Sequence, residues 1–323
     1  MPKVSVIIPV YGVEKYIERC VRSLFEQTLQ DMEFIFIDDC TKDNSIYIIE
    51  CLLKEYEFRA QQTKIVHHEI NKGLPAARRT GLMYATGDYV IHCDSDDWVE
   101  PSMYEEMYTQ AFKEQVDVVI CDYFLSDGMN HKQMKQKQHP LCKEDYIRQL
   151  LLHKLKPAVW NKLIKRSCYN DLLTYPTHNM AEDLALMIQI FYYSTSFAYL
   201  SKSLYYYFFN ESSITGDNTF EGVIKRVDQY KRNVCFIEDF LIRQSIASMY
   251  TNEIKHLKFS VKNELSQGSQ DRRTFGIWRG LFPELTMKDI LTLRETSFKA
   301  KLLYLLSAVG VYQWYKQLSK QIK

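Results

Sequence analysis

The chain has 323 residues, of which 46% are hydrophobic, and its formal net charge is +1. This apolar content excludes wholesale disorder, and the near-neutral charge gives no general reason to expect nucleic acid as a partner. The 8 cysteines never occur at C-x-x-C spacing, so neither a disulfide framework nor a structural zinc site is expected. The start lacks the features of a secretory signal, and about 20 consecutive apolar residues occur nowhere, so we expect a cytoplasmic protein without a spanning helix.

Two hydrophobic periods alternate up to Cys121. Strand-like runs are predicted at residues 4–8 (closed by Pro9), 34–37, 64–67, 89–93 and 116–120, with helices beginning near Glu14, Asn44, Pro75 and Ser102. Alternation in this order predicts βαβ units with right-handed crossovers. We therefore predict an α/β fold with a mostly parallel central sheet flanked by helices, whose ligands gather at the carboxyl ends of the strands.

The remainder of the chain is less regular. Residues 126–140 are polar and basic and predict an exposed loop or hairpin, whereas residues 143–200 predict helices with short connectors. Residues 205–209 predict one more strand, and a helical pattern with many charges begins near Phe220. The sequence thus predicts a catalytic domain over residues 1–215 and a helical C-terminal extension over residues 216–323.

The last helical segment, residues 297–323, combines Trp, Tyr and Leu with an excess of lysine. Such a segment suits the surface of an anionic bilayer, which predicts peripheral contact with the inner face of the cell membrane. A packed C-terminal helix and a homodimer interface are the alternatives.

Polar residues follow the predicted strand that ends at Cys93, in the order Asp94, Ser95, Asp96, Asp97. Carboxylates at i and i+2 beyond a strand converge once the chain turns, and their oxygens suit Mg²⁺ or Mn²⁺, ions that also bind substrate phosphates. Because Asp is common in turns, a simple cap is the alternative. The second acid pair, one strand away, favours the functional interpretation.

That second pair is Asp38 and Asp39, at the end of the strand before. An acid in this place often binds the ribose or base of a nucleotide, and capping of the next helix is the alternative. The loop after the first strand lacks both glycine-rich phosphate motifs, which argues against a dinucleotide oxidoreductase and a P-loop NTPase. It offers instead Pro9, Tyr11 and Glu14 as candidate donor contacts, with ordinary packing as the alternative.

Two further candidates lie at predicted helix starts. Arg78, on the helix that begins near Pro75, is a candidate for a phosphate or uracil contact. Glu182 and Asp183 precede an apolar helix, where an acid can serve as general base toward a sugar hydroxyl or simply favour the helix dipole.

In this order, the motifs resemble those of family 2 glycosyltransferases over about residues 4–215. The likeness is carried by residues 5–11, by Asp38 and Asp39 with Thr41, Asp43 and Ser45, and by residues 71–73, 76–78, 86–89, 94–97, 160–163 and 182–183. Residues 160–163 are similar to a segment of capsule and surface-polysaccharide members. Gly12 and Arg79 depart from the family, where Asn is common at both positions.

The resemblance implies the nucleotide-sugar transferase fold called GT-A and inverting transfer from a donor that is usually a UDP-sugar. It implies that Asp38 or Asp39 contacts uridine, that Asp94 lies by the ribose or metal, and that Asp96 is the main ligand of a divalent metal. Asp183 would be the base, with Glu182 beside it. It further implies a saccharide acceptor, often lipid-linked, in surface-polysaccharide synthesis.

Two other classes of function were weighed against this one. A sugar nucleotidyltransferase also uses an α/β sheet and acids, but we expect it to carry a glycine-rich loop with Arg and Lys after the first strand, which residues 10–14 lack. A catalytically inactive binding subunit of a polysaccharide assembly complex is disfavoured by the intact Asp94, Asp96 and Asp183.

Overall fold

The computed structural model describes residues 1–136, 142–209, 217, 219–268 and 273–308. The chain divides into two compact units. The first comprises Met1–Tyr146, Leu155–Thr177 and Leu186–Asn210, and the second comprises Ile147–Lys154, His178–Ala185 and Glu211–Lys323. Two short segments before residue 200 therefore belong with the C-terminal part. The predicted boundary between residues 215 and 216 falls outside the described ranges.

The predicted alternation of strands and helices is present. Up to residue 134 the elements are β1 (Val4–Val10), α1 (Ile17–Phe25), β2 (Met32–Asp38), α2 (Ser45–Glu55), α3 (Glu57–Ala60), β3 (Thr63–His67), α4 (Leu74–Tyr84), β4 (Tyr89–His92), β5 (Trp98–Val99), α5 (Met103–Glu114), β6 (Val118–Ser126) and β7 (His131–Met134). They continue with α6 (Lys143–Leu151), β8 (Lys162–Lys165), α7 (Glu182–Tyr193) and β9 (Phe197–Phe208).

One sheet runs through the first unit in the strand order β3-β2-β1-β4-β8-β6-β9-β5, with β7 paired to β6. The pairs β2–β3, β1–β2, β1–β4 and β6–β9 are parallel and account for most of the paired positions, whereas β8, β5 and β7 pair antiparallel. The α/β class is confirmed, and β6 and β7 form a hairpin in the polar segment. Residues 137–140 of that segment lie outside the described ranges.

Several strand boundaries differ from the prediction. β1 continues through Pro9 to Val10. Pro9 has no N–H to donate, but the β1–β4 hydrogen bonds end at Ile7 and His92, so the proline interrupts none of them. β9 begins at Phe197, well before the predicted strand. β8 lies in a stretch that was predicted as helices with short connectors, and its Lys162 is buried because Nζ donates to Lys156 O, Ala158 O and Asn161 Oδ1.

Both faces of the central parallel strands β1, β2 and β4 are buried, as βαβ crossovers require. One face of β1 packs Val4, Val6 and Ile8 into the core that contains α1, and the other face packs Ile7 against α4. α4 lies very close to the sheet, because a Cβ at Gly81 would stand 2.3 Å from Ile7 Cγ2. This contact fixes α4 at the carboxyl end of the parallel strands.

The C-terminal part of the second unit is helical, as predicted. Its helices are α8 (Phe220–Arg243), α9 (Thr251–Gly268), α10 (Thr274–Gly280), α11 (Met287–Thr292) and α12 (Phe298–Ala308). Of the helices in the described ranges, none has the length and apolar character to cross a membrane.

Lys262 of α9 makes the stability of this unit dependent on pH. Its side chain is buried, Nζ donates to Trp278 O at 2.9 Å, and burial lowers the pKa of Lys262 from 10.5 to about 8. Between these two pH values the unfolded chain binds more protons than the folded one, so the free energy of unfolding rises with pH through this window.

We therefore expect wild type to gain about 3 kcal/mol of stability over Lys262→Met between pH 7 and pH 10.5. Denaturant unfolding of both proteins across this range measures the difference, and alkaline effects common to both proteins cancel. A difference that stays constant with pH would contradict a depressed pKa for Lys262.

Candidate active site

The loop that follows β4, residues 93–97, lies where the sequence predicted a site, at the carboxyl end of the parallel strands. We call it the carboxylate loop. β1 and β2 lie on one side of β4 in the sheet, and β8, β6, β9 and β5 lie on the other. Polar segments from β1, β2 and α4 therefore approach the loop from one side, and the ends of β6 and β9 approach it from the other.

Asp94 is held by an ion pair with Arg78. Asp94 Oδ1 accepts a hydrogen bond from Arg78 Nη2 at 2.7 Å, and the Arg78 side chain is only 5% exposed although it carries a charge. The ion pair offsets part of the cost of burying the charged guanidinium. The close packing of α4 against the sheet thus brings together Arg78 and Asp94, two candidates from separate motifs.

Asp97 anchors the carboxylate loop to β9. Its Oδ2 accepts from the Tyr205 hydroxyl at 2.6 Å, and its Oδ1 accepts from the backbone N–H of Phe208 at 2.7 Å. The Tyr205 oxygen in turn accepts from the N–H of Asp94 at 3.1 Å. Burial raises the pKa of Asp97 well above its usual range, and the negative charges of Asp96 and Asp94 raise it further.

Asp96 is half-exposed, and its backbone is held from the α1 side. Arg19 Nη2 donates to the carbonyl of Asp96 at 3.1 Å, and the Arg19 guanidinium lies 3.6 Å from the centroid of the Trp98 ring. Burial lowers the pKa of Arg19, whereas the charges of Asp97 and Asp96 oppose this change. Ser95 is buried within the loop.

Asp39 has a different environment from Asp38. Both Asp39 oxygens are used inside the protein, because the N–H groups of Lys72 and Gly73 donate to them at 2.8 Å and His68 Nδ1 lies 2.7 Å away. Asp39 thus shapes the loop before α4. Asp38 is more exposed and contacts His67 Nδ1 and the N–H of Thr41, each at 2.8 Å. Because Asp38 is the more exposed of the two acids, it is the better candidate for a nucleoside contact.

The other donor candidates occupy the loop after β1. Tyr11 is 55% exposed, Pro9 is buried in β1, and the Glu14 carboxylate accepts from the backbone and side chain of Asn44 at 3.0 and 3.2 Å. Glu14 therefore links this loop to α2. Its role as a donor contact stays a prediction, as do those of Pro9 and Tyr11.

The acids of the carboxylate loop fit a divalent cation. Asp94 and Asp96 are half-exposed, and their charge reaches buried Asp97. Within the described ranges, no cluster of three His, Cys, Asp or Glu side chains is arranged to hold a metal by itself. The half-exposed carboxylates of Asp94 and Asp96 suit Mg²⁺ or Mn²⁺, because Mg²⁺ commonly takes one or two carboxylates and completes its shell with water and substrate phosphate.

Glu182 and Asp183 lie in the second unit, at the start of α7. Glu182 is buried and Asp183 is half-exposed, with its Oδ1 accepting from the N–H of Leu184 at 2.8 Å. The preceding residue, Ala181, has the left-handed φ of 62°, which is costly for a residue other than glycine. Asn233 of α8 stabilises this turn by donating to the carbonyls of His178 and Met180, both at 2.7 Å.

Tyr205 was missed by the sequence analysis, and its hydroxyl is expected to matter for activity. Tyr205→Phe leaves the buried Asp97 carboxylate and the N–H of Asp94 without that partner, which costs about 1–3 kcal/mol of stability. The shift of Asp94 is expected to lower kcat/KM by roughly tenfold to a hundredfold. The check is steady-state kinetics beside denaturant unfolding.

Tyr123→Phe is the matched control, because Tyr123 packs on the same Trp160 ring, 5.0 Å between centroids, from β6. Equal kinetics for the two variants would contradict a role of the Tyr205 hydroxyl.

The fold and the site belong to the α/β class, with candidate acids in the loop that follows the fourth strand. The sequence profile described as Glycosyl transferase family 2 matches residues 5–204. The chain belongs to this family, is a glycosyltransferase and uses a nucleotide-sugar donor.

Relatives and solved structures agree. The chain is 32% identical over 246 residues to EpsH of Bacillus subtilis, which is named as a glycosyltransferase, covering 74% of this chain and 70% of that protein. It spans only 40% of the glycosyltransferase GlyA of Streptococcus pneumoniae.

Two solved structures show the same fold at low identity. S. aureus TarS 1–349 in complex with UDP has a TM-score of 0.56 at 20% identity, covering 99% of this chain and 92% of that one. A mannosyltransferase of Pyrobaculum calidifontis with GDP-Man and Mn²⁺ has a TM-score of 0.56 at 16% identity, covering 98% and 87%.

Proposed function

We propose that this glycosyltransferase moves a hexose-type sugar from a UDP-linked donor to a saccharide acceptor, with inversion and with Mg²⁺ or Mn²⁺. The observation that carries the proposal is the meeting of Asp94, Asp96 and Asp97 in one loop, held by Arg78, Arg19 and Tyr205. The TarS structures with UDP and UDP-GlcNAc and the mannosyltransferase structure with Mn²⁺ support it by analogy.

The reaction is a single displacement. The acceptor hydroxyl oxygen bonds to the anomeric carbon as the bond from that carbon to the diphosphate oxygen breaks, and the hydroxyl proton passes to Asp183. Asp38 binds the nucleoside, and Arg78 holds Asp94 beside the diphosphate. Asp96 and Asp94 would hold the divalent ion, which would supply positive charge against the leaving diphosphate.

A donor screen tests this proposal. Full-length protein with Mn²⁺ is expected to release UDP from at least one UDP-hexose or UDP-N-acetylhexosamine, and EDTA is expected to abolish the release. Release of GDP alone, from GDP-mannose, would overturn the UDP assignment. Release of pyrophosphate from a sugar phosphate and UTP would favour a nucleotidyltransferase, and no release from any donor would favour an inactive binding subunit.

We also propose that the acceptor is lipid-linked, as in surface-polysaccharide synthesis, and that the enzyme works at the inner face of the cell membrane through residues 297–323. Support comes from α12, where Phe298 is 81% exposed and Leu302, one turn later, is 43% exposed, with exposed Lys299 between them. Exposed apolar groups beside lysine suit an anionic bilayer. Residues 309–323 lie outside the described ranges, and a homodimer interface is the alternative.

Flotation with vesicles that contain anionic phospholipid tests the membrane proposal. Phe298→Glu with Leu302→Glu is expected to reduce the bound fraction at least tenfold, because each apolar side chain contributes about 1.5–3 kcal/mol when buried. Phe58→Glu with Phe112→Glu is the control, since these side chains are 59% and 63% exposed in the first unit. Equal flotation of both variants and wild type would remove the claim, and a change from dimer to monomer without lipid would favour the dimer interface.

A further inference from the structure

We infer that an apolar rim beside the carboxylate loop, formed by Tyr16, Met129, Phe208 and Phe209, binds a sugar ring of the acceptor. We call these four residues the acceptor rim. The inference deepens the proposed function and rests on it for the identity of the reaction, although the rim itself is a feature of the first unit alone.

The position of the rim follows from the order of the strands. The candidate nucleotide contacts come from β1, β2 and α4, on one side of the carboxylate loop, whereas β6 and β9 lie across it. β6 and β9 run parallel, and their carboxyl ends, Ser126 and Phe208, are paired. The N–H of Phe208 donates to Asp97 at 2.7 Å, so the rim begins directly at the carboxylate loop.

The segments that carry the rim residues adjoin one another. The N–H of Phe209 donates to Ser126 O at 2.8 Å, which ties it to the β6–β7 turn that carries Met129. That turn reaches Phe208, because a Cβ at Gly128 would lie 3.5 Å from Phe208 Cε2. The rings of Tyr16 and Phe208 have centroids 5.4 Å apart.

The inner part of this surface is held in place by its neighbours, and its outer part is exposed to solvent. The Arg19 guanidinium lies 4.7 Å from the centroid of Phe208 and stacks on Trp98, so the inner part of the rim is fixed. Phe209 is 63% exposed and Met129 is 87% exposed. Large apolar groups exposed together beside a polar site mark a binding surface more often than chance exposure.

The chemistry of the rim and of the reaction identifies the occupant. Inverting displacement requires the acceptor to approach the anomeric carbon opposite the diphosphate, which places the acceptor across the loop from the nucleotide contacts. A sugar ring presents C–H faces with partial positive charge, which aromatic faces attract, and hydroxyl edges that need polar partners. The same turn supplies such partners in Asp127, Asn130 and His131, all three exposed.

The test compares three full-length proteins: wild type, Met129→Ala with Phe209→Ala, and Met83→Ala with Phe112→Ala. The last is a matched control, since Met83 and Phe112 are 79% and 63% exposed on α4 and α5. Each labelled protein is applied to an array of bacterial surface saccharides in the presence of UDP, and to phosphatidylcholine vesicles. UDP release from the donor without acceptor is measured in parallel.

The rim variant is expected to lose array binding roughly tenfold, the size of one aromatic contact, with donor hydrolysis unchanged and the control behaving as wild type. Saccharide binding equal to wild type, or absent in wild type, would overturn the inference. Loss of vesicle binding alone would identify a lipid surface instead, and loss of donor hydrolysis would place the rim in the donor site. If wild type binds saccharides through the rim but hydrolyses no nucleotide sugar, the proposed function fails and the rim assignment stands.

Discussion

Asp96→Ala is expected to reduce sugar transfer by roughly three orders of magnitude, the effect of several kcal/mol of lost charge stabilisation on the leaving diphosphate. The fold should survive this change, because the Asp96 side chain is half-exposed and the bond from Arg19 uses the Asp96 backbone carbonyl, which alanine keeps. The defect should therefore appear in turnover and in Mn²⁺ affinity, with little change in the free energy of unfolding.

Electron paramagnetic resonance of Mn²⁺ in the presence of UDP measures the Mn²⁺ affinity, and UDP-release kinetics measure turnover. Asp31→Ala is the control, since Asp31 is an exposed carboxylate that pairs with Lys3 at 3.0 Å on the surface. Full activity of Asp96→Ala, with unchanged Mn²⁺ dependence, would show that this carboxylate is not a metal ligand.

The sequence predicted which acids lie at the candidate site, but not which residues hold them in place. Asp94 and Asp96 followed from a buried strand closed by carboxylates, a local pattern. Tyr205 stands 111 positions after Asp94, in a strand that was placed late and too short, and its hydrogen bonds depend on how β9 pairs with β5 and β6. Arg19, whose guanidinium bonds the Asp96 carbonyl, was not singled out from the sequence at all. Long-range pairing of this kind leaves no local signal.

The acid pair after β2 shows a second limit. Asp38 and Asp39 are adjacent and chemically identical, so the sequence left open which one contacts uridine. The structure shows that their environments differ: two N–H groups and a histidine contact Asp39 inside the protein, whereas Asp38 contacts one N–H group and a histidine and is more exposed. Neighbouring acids with different hydrogen-bond partners therefore cannot be told apart from the sequence pattern.

Residues 162–165 show a third limit, in secondary structure. Lysine at both ends of a four-residue run reads as an exposed segment, yet Lys162 is buried in β8 because three oxygens surround its ammonium group. The hydrogen bonds that offset the burial of this charge come from the folded loop before the strand. Hydrophobic periodicity therefore misplaces this strand while placing β1, β2 and β4 within one or two residues of their observed ends.

Asp183→Asn is expected to lower turnover by about 10²–10⁴-fold, the usual contribution of a general base, while UDP affinity stays near the wild-type value. The change is nearly isosteric, and the amide oxygen can still accept from the N–H of Leu184, so the start of α7 should keep its conformation. The turn itself is held by Asn233 through the carbonyls of His178 and Met180, which the substitution does not touch.

Asp228→Asn on α8 is the matched control in the same unit, because Asp228 is a 53% exposed carboxylate that pairs with Arg232. Turnover with a cognate donor and acceptor is measured beside UDP binding by calorimetry. A loss of UDP affinity in Asp183→Asn would indicate that the carboxylate supports the structure of the donor site. Asn233→Ala further separates a structural role from a role as base. This variant loosens the turn at Ala181, whose left-handed φ is costly, and should lower both turnover and stability. Loss of the base alone should lower turnover only.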